Sequence, residues 1–147
     1  LMFMGEYRHS MDAKNRISVP ARFREQLGEQ IVVTKGYDGS LAIYTMEKWA
    51  ELVARIQKLP QTNRQVRQYV RALTAKATEC GYDAQGRIQI PAYLKDEAKI
   101  DKRCVFVGMA GYVELWSEEE YDSYEAETAG SFDEAAEALT EFLNGTL

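Results

Sequence analysis

Two carboxylate–guanidinium pairs at one spacing are the clearest chemistry in the chain. Asp12 and Arg16 frame the stretch Asp12-Ala13-Lys14-Asn15-Arg16-Ile17-Ser18-Val19-Pro20-Ala21, which returns seventy-one positions later as Asp83-Ala84-Gln85-Gly86-Arg87-Ile88-Gln89-Ile90-Pro91-Ala92. An aspartate that opens a turn can accept hydrogen bonds from the backbone amides that follow it. An arginine just past the turn is held at the start of a strand, where its planar fork can donate two parallel bonds to the O6 and N7 edge of guanine. The major groove also admits a two-stranded ribbon. Arg16 is therefore the first candidate for a base reader, with Lys14 and Asn15 beside it on the turn, able to reach phosphate or base edge. The competing reading makes Asp12 and Arg16 a structural ion pair, and for Asp12 the turn role is the stronger one. Asp83 and Arg87 keep the pair, yet Lys14 has become Gln85 in an acidic setting. The motif is expected to be architectural in both copies and DNA-reading chiefly in the first.

Other chemistries find less support. His9, Ser10 and Asp12 carry the letters of a catalytic triad, but adjacent strand residues point to opposite faces and a triad is defined by geometry. No glycine-rich phosphate loop or nucleophile elbow accompanies them, so an enzyme is not expected. Cys80 and Cys104 are isolated and His9 is the sole histidine, which argues against a structural metal site; both cysteines are expected to be buried, reduced thiols, and no cofactor is implied. The longest uncharged apolar run, Cys104 to Val113, is ten residues, well short of the roughly 20 that span a bilayer. No basic-then-apolar leader follows Met2, so a cytoplasmic location is expected.

The net charge of −5 hides a division: residues 1–76 carry +6 and residues 77–147 carry −11. Such asymmetry points to a polyanion-binding face on one side, against the alternative of ordinary solvated charge.

The elements that must position these residues also repeat. Phe3 to Met11 is expected to be a strand, Asp12 to Asn15 a turn and Arg16 to Val19 a second strand, together a hairpin. Asn15 and Gly86 are the residues suited to a left-handed turn conformation. Pro20 and Pro91 start short helices that set Phe23 with Leu27 and Leu94 with Ala98 on one face, with Gly28 ending the first. Hairpins follow at Ile31–Thr34 with Leu41–Tyr44, and at Val105–Val107 with Tyr112–Trp116. Thr45, Thr62, Ser117 and Ser131 are candidate helix caps, the last two within capping boxes closed by Glu120 and Glu134. Arg64, Arg67 and Arg71 share one helix face; they could meet DNA, but pairing with the acidic segments Glu118–Glu127 and Asp133–Glu141 of the same or a neighbouring subunit is favoured. Tyr44, Trp49, Tyr112, Trp116 and Tyr121 are expected to be core or subunit interface.

The doubled DxxxR followed by apolar-x-apolar-Pro resembles the MraZ family, within the wider AbrB-like group of swapped-hairpin DNA-binding domains, over nearly the whole chain. The resemblance implies an α+β fold: an AbrB-like, pseudo-twofold β-barrel core built from two tandem DxxxR repeats, with helices peripheral to each. It implies one domain over 1–147, made of a basic half (2–76) and an acidic half (77–147). It further implies a bacterial transcriptional regulator, associated with the nucleoid, that binds short direct repeats in double-stranded promoter DNA upstream of the division and cell-wall gene cluster and forms ring-like homo-oligomers. Arg24 matches a basic position in the short helix of that pattern, and Arg8 and His9 compete for another just before the motif; these are placed as phosphate contacts or partial readers, with Arg22 weaker. Several subunits each reading one repeat would gain by effective concentration, and direct repeats suit a rotational ring. The alternative is a non-catalytic interaction or scaffold module acting through the acidic helices.

Overall fold

The computed structural model describes residues 2–143 as an α+β chain. The first motif copy gives β1 (Glu6–Ser10), β2 (Arg16–Ser18), α1 (Ala21–Leu27), β3 (Ile31–Lys35), β4 (Leu41–Thr45), α2 (Met46–Gln57) and α3 (Arg64–Lys76). The second gives β5 (Thr78–Cys80), β6 (Arg87–Gln89), α4 (Ala92–Glu97), β7 (Arg103–Gly108), β8 (Val113–Ser117), α5 (Glu118–Thr128), α6 (Phe132–Ala138) and α7 (Thr140–Leu143).

Both later hairpins form where turn residues interrupt β-branched and aromatic runs: β3 pairs with β4, and β7 with β8, each antiparallel. The expected hairpin between the strands flanking Asp12–Asn15 does not form. β1 pairs instead with β7, and β2 with β6; in the other direction β5 pairs with β3. The copies have exchanged strands. The result is a six-stranded sheet in the order β1-β7-β8-β4-β3-β5 and a two-stranded ribbon β2-β6. The physical reason is burial. Ile17 and Ile88, opposite one another in the ribbon, enter the same apolar cluster as Phe23, Leu94, Ile43 and Leu115, which takes residues from both copies. A strand folded back on its own neighbour would not bring those faces together. Ahead of β1 the chain crosses Gly108 so closely that a Cβ there would lie 2.5 Å from the backbone of Phe3 and Met4. Phe3 bridges Ala110, and regular pairing starts only at Glu6.

The helix ends follow local chemistry. Thr45 caps α2 by accepting from the Lys48 amide at 3.0 Å, and Ser117 caps α5 through the Glu120 amide at 3.3 Å. Two expectations fail. Asn63, not Thr62, caps α3, accepting from the Val66 amide at 3.1 Å. Ser131 has a near-helical ψ of 3° and its side chain caps nothing, so no capping box forms with Glu134. Proline stands at the N-cap of α1 and α4, one position before the first helical residue. Gly28 ends α1 with φ 83°. Cys104 is buried, which pushes its thiol up to about 12 and keeps it protonated. Cys80 is half-buried, near the sheet edge, and not enclosed as expected. No helix among the described residues is long and apolar enough to cross a membrane.

The trailing helices of the two copies differ. α3 packs on β3, burying Leu73, whose carbonyl accepts from the Thr34 hydroxyl at 2.6 Å. α6 buries no residue and packs chiefly on α7.

Candidate nucleic-acid interface

The Asp12 turn is closed by its own carboxylate. Oδ1 accepts from the amides of Lys14 and Arg16, each at 2.9 Å, and Oδ2 accepts from Arg16 Nε at 2.8 Å. The backbone completes the loop, Asn15 N donating to Asp12 O and Asp12 N to Arg16 O. Asn15 takes the left-handed conformation at φ 61°, one of the few side chains that tolerates it. The Arg16 amide, and secondarily its guanidinium, holds the Asp12 carboxyl below the usual carboxylate range, against some desolvation. Arg16 spends one of five N–H donors on Asp12 and keeps about a third of its side chain exposed. The turn fixes the arginine without enclosing it.

Asp83 repeats this skeleton at the same distances: 2.9 Å from the amides of Gln85 and Arg87, and 2.8 Å from Arg87 Nε. Its carboxyl is lowered in the same way, first by the Arg87 amide. Pairing of β2 with β6 sets the two turns side by side, so that Arg87 Nη1 also lies 3.6 Å from Asp12 Oδ2. One cluster therefore holds Asp12, Arg16, Asp83 and Arg87.

Each turn is held from the opposite copy. Lys95 Nζ donates to Asn15 Oδ1 at 3.0 Å, and Gln89 Nε2 to the Lys14 carbonyl at 2.9 Å. On the other side Arg24 donates to Val19 O at 3.2 Å and lies across Gly86, where a Cβ would sit 2.3 Å from Arg24 Nη1. Gly86, at φ 75°, suits the left-handed conformation, and a side chain there would displace the Arg24 guanidinium. Lys95 and Gln89 were missed as parts of the site. The signal was present for Lys95, which stands in the second copy where Arg24 stands in the first.

Of the other sequence candidates, Lys14 is exposed on the turn and Asn15 is half-buried beneath Lys95. Arg24 belongs to the turn assembly through Gly86. Arg22 is exposed on α1. Arg8 and His9 are drawn elsewhere. Arg8 meets Asp122 at 3.0 Å and Glu118 at 3.2 Å on α5, and those two carboxylates hold its guanidinium in the charged form. The His9 ring packs edge-on to Phe106. His9 and Ser10 fall on opposite faces of β1, in the alternation expected of a strand.

Among the described residues, no ion pair joins the arginine row of α3 to the acidic helices of its own chain, contrary to one form of the expectation. Arg67 donates to the carbonyls of Gln61 and Thr62, whereas α5 takes its cations from Arg8, Lys99 and Arg103. Tyr44 is buried and stacked on Tyr112, and Trp116 is buried against Tyr121, as core aromatics.

A mixed sheet-and-helix chain in which two carboxylate-closed arginine turns interlock defines a duplicated turn module. The family model described as "MraZ protein, putative antitoxin-like" matches residues 2–72 and again 73–143. A protein of Ligilactobacillus salivarius (strain UCC118) named "Transcriptional regulator MraZ" is 49% identical over 141 residues, 96% of this chain and 99% of the relative. Proteins of the same name from Lactiplantibacillus plantarum and Desulforamulus reducens are each 46% identical, covering 96% and 97% of this chain and 100% of themselves. This chain belongs to the MraZ family.

Proposed function

We propose that the protein is a sequence-specific DNA-binding transcriptional regulator whose ribbon β2-β6 presents the Asp12–Arg16 turn to the major groove. The observation that carries this reading is the fixed, partly exposed Arg16 beside an exposed Lys14, in a chain whose relatives are named transcriptional regulators. Arg16 reads a guanine edge, Lys14 and Asn15 contact phosphate or neighbouring bases, and Arg24 supports the ribbon with a phosphate contact within reach. Arg8 and His9 serve as flanking contacts, Arg8 only after leaving its carboxylate partners on α5. Asp12, Asp83 and Arg87 are the frame.

The exchanged strands support an AbrB-like swapped-hairpin barrel, here one domain formed by the halves 2–76 and 77–147 of a single chain. The operator is a set of short direct repeats upstream of the division and cell-wall gene cluster, engaged in the cytoplasm, at the nucleoid, by several subunits of a homo-oligomeric ring. Linked subunits raise effective concentration at neighbouring repeats, so modest contacts per subunit suffice. Footprinting of that promoter region with purified protein tests the reading. Protection phased with the direct repeats, weakened steeply by salt, is expected; uniform weak protection of repeat and scrambled DNA would refute it.

A further inference from the structure

The β2-β6 ribbon is flanked by two surface grooves, one beside each DxxxR turn, and the two differ in charge. The first passes Asp12 and Ala13, and its charged lining beyond the turn is Lys95, Asp101 and Lys102. The second passes Asp83 and Ala84, and its charged lining beyond the turn is Arg24, Glu25 and Glu29. Asp12 and Asp83 are taken by Arg16 and Arg87, each at 2.8 Å, so the charges outside the turns set the sign. Two lysines stand with one carboxylate in the first groove, and Lys14 is exposed on the adjoining turn. One arginine stands with two carboxylates in the second, and the adjoining turn carries the neutral Gln85.

The exchanged strands create this difference. β1 sets His9 opposite Cys104, and its continuation is fixed by Met11 N donating to Lys102 O at 2.7 Å. β5 sets Cys80 opposite Ile31 in the same sense, so that two residues further along, the matching corner holds Lys102 in one copy and Glu29 in the other. Among the described residues, no hydrogen bond or ion pair engages the ammonium group of Lys14 or Lys102. Lys95 gives one N–H to Asn15 and keeps the other two of its ammonium group. The carboxylates on the far side of Lys102 are largely neutralised. Glu118 is met by Arg103 at 2.8 Å and Arg8 at 3.2 Å, and Asp122 by Arg8 at 3.0 Å, which leaves Glu119.

A ribbon seated in the major groove of B-DNA has a sugar-phosphate backbone along either flank. Each phosphodiester carries one negative charge, which lysine binds as a point charge. We propose that the first groove holds a DNA phosphate between Lys102 and the remaining N–H groups of Lys95, so that the second copy supplies the backbone contact beside the base-reading turn of the first. This rests on the DNA-binding reading of the Arg16 turn and names the flank that grips the duplex. Along the second groove the opposite backbone meets Glu25 and Glu29, with Arg24 the one cation of the lining. Residues 77–147 carry −11 overall, yet two of their lysines belong to the binding face. Lys95 acts twice there, clasping Asn15 and holding phosphate, so Lys102 is the residue through which the groove is tested cleanly.

The test titrates direct-repeat and scrambled duplex DNA with the full chain and its Lys102→Gln, Lys102→Arg and Lys58→Gln variants across a salt series. Lys102→Gln should flatten the slope of log affinity against log salt by about one for each subunit bound, and weaken both DNAs by the same factor, roughly tenfold or less per subunit at 0.1 M salt. Its preference for the repeats should stay as in the wild type, because phosphate carries no sequence. Lys102→Arg should restore slope and affinity. Lys58→Gln removes the same charge from the C-cap of α2, outside the groove, and should leave the slope unchanged. A wild-type slope in Lys102→Gln, an equal loss in Lys58→Gln, or a Lys102→Gln protein whose sedimentation differs from the wild type would overturn the phosphate groove and leave the Arg16 reading standing. A wild type that binds both DNAs equally, with the slope still falling in Lys102→Gln, would overturn the base reader and keep the groove. A wild type that binds neither would overturn both.

Discussion

The two DxxxR turns share a hydrogen-bond skeleton and differ in what surrounds it. Asp12 and Asp83 accept the same three bonds at the same distances. Around the first turn stand Lys14 and an Asn15 clasped by Lys95; around the second stand Gln85 and a Gly86 overlain by Arg24. Duplication kept the bonds that make the turn and let the outward residues change. The frame of the site is therefore symmetric, and its proposed use is not.

The symmetry of the frame can be broken most severely in the core. Ile17→Ala and Ile88→Ala remove opposed side chains of the β2-β6 ribbon that are 0% and 1% exposed. Each should cost about 2–5 kcal/mol in denaturant unfolding, and the two costs should agree to within about 1 kcal/mol if the copies are structurally equivalent. A cheap change in one copy would show that the ribbon leans on the other.

A smaller effect separates the turns. Gly86→Asn keeps a residue tolerated at positive φ but drives its Cβ into Arg24, which must leave Val19 O. The expected loss is about 1 kcal/mol for that bond. The reverse change, Asn15→Gly, removes the acceptor of Lys95 but suits φ 61° at least as well, so thermal melting should move little, by about 0.5 kcal/mol or less.

Acid should act on both turns together. The folded carboxyls of Asp12 and Asp83 titrate below their ordinary value, so their contribution is complete above the unfolded value and is lost as pH falls through the lowered one. Glu114 runs the other way. Burial raises its carboxyl, despite bonds from Trp116 Nε1 and Ser40 Oγ. Its protonated form is the one favoured in the fold, so its penalty grows as pH rises from the unfolded value through the raised one. Glu114→Gln should therefore stabilise the protein at pH 7 and change little near pH 4, as read from melting curves at both.

Much of this was legible in the sequence because local chemistry decides it. The Asx bond of Asp12, the left-handed residue before Arg16, the Thr45 cap and both glycine-bearing hairpins depend on residues within a few positions of one another. Partner choice does not. Nothing in the alternation of Glu6–Ser10 distinguishes β2 from β7 as its neighbour, and a five-residue strand is long enough to pair with either. The clasp of Lys95 on Asn15 spans eighty positions and follows from that exchange. Arg8, expected as a phosphate contact or partial reader, is drawn aside for the same reason: its carboxylates arrive on α5, more than one hundred residues away. Ser131 shows the limit of local rules, since its sequence spells a capping box that its backbone angles do not make.

The most direct measurement compares Arg16→Ala with Arg87→Ala in fluorescence-anisotropy titrations, using DNA that carries the direct repeats and a scrambled control, across a salt series. Arg16→Ala is expected to lose repeat-specific affinity by about 10- to 100-fold, the worth of one bidentate base contact. Arg87→Ala, folded to the same degree, should lose less than about threefold, as a residue that frames the turn without reading bases. Equal losses in the two variants, or no loss in Arg16→Ala, would contradict the unequal use of two equal turns.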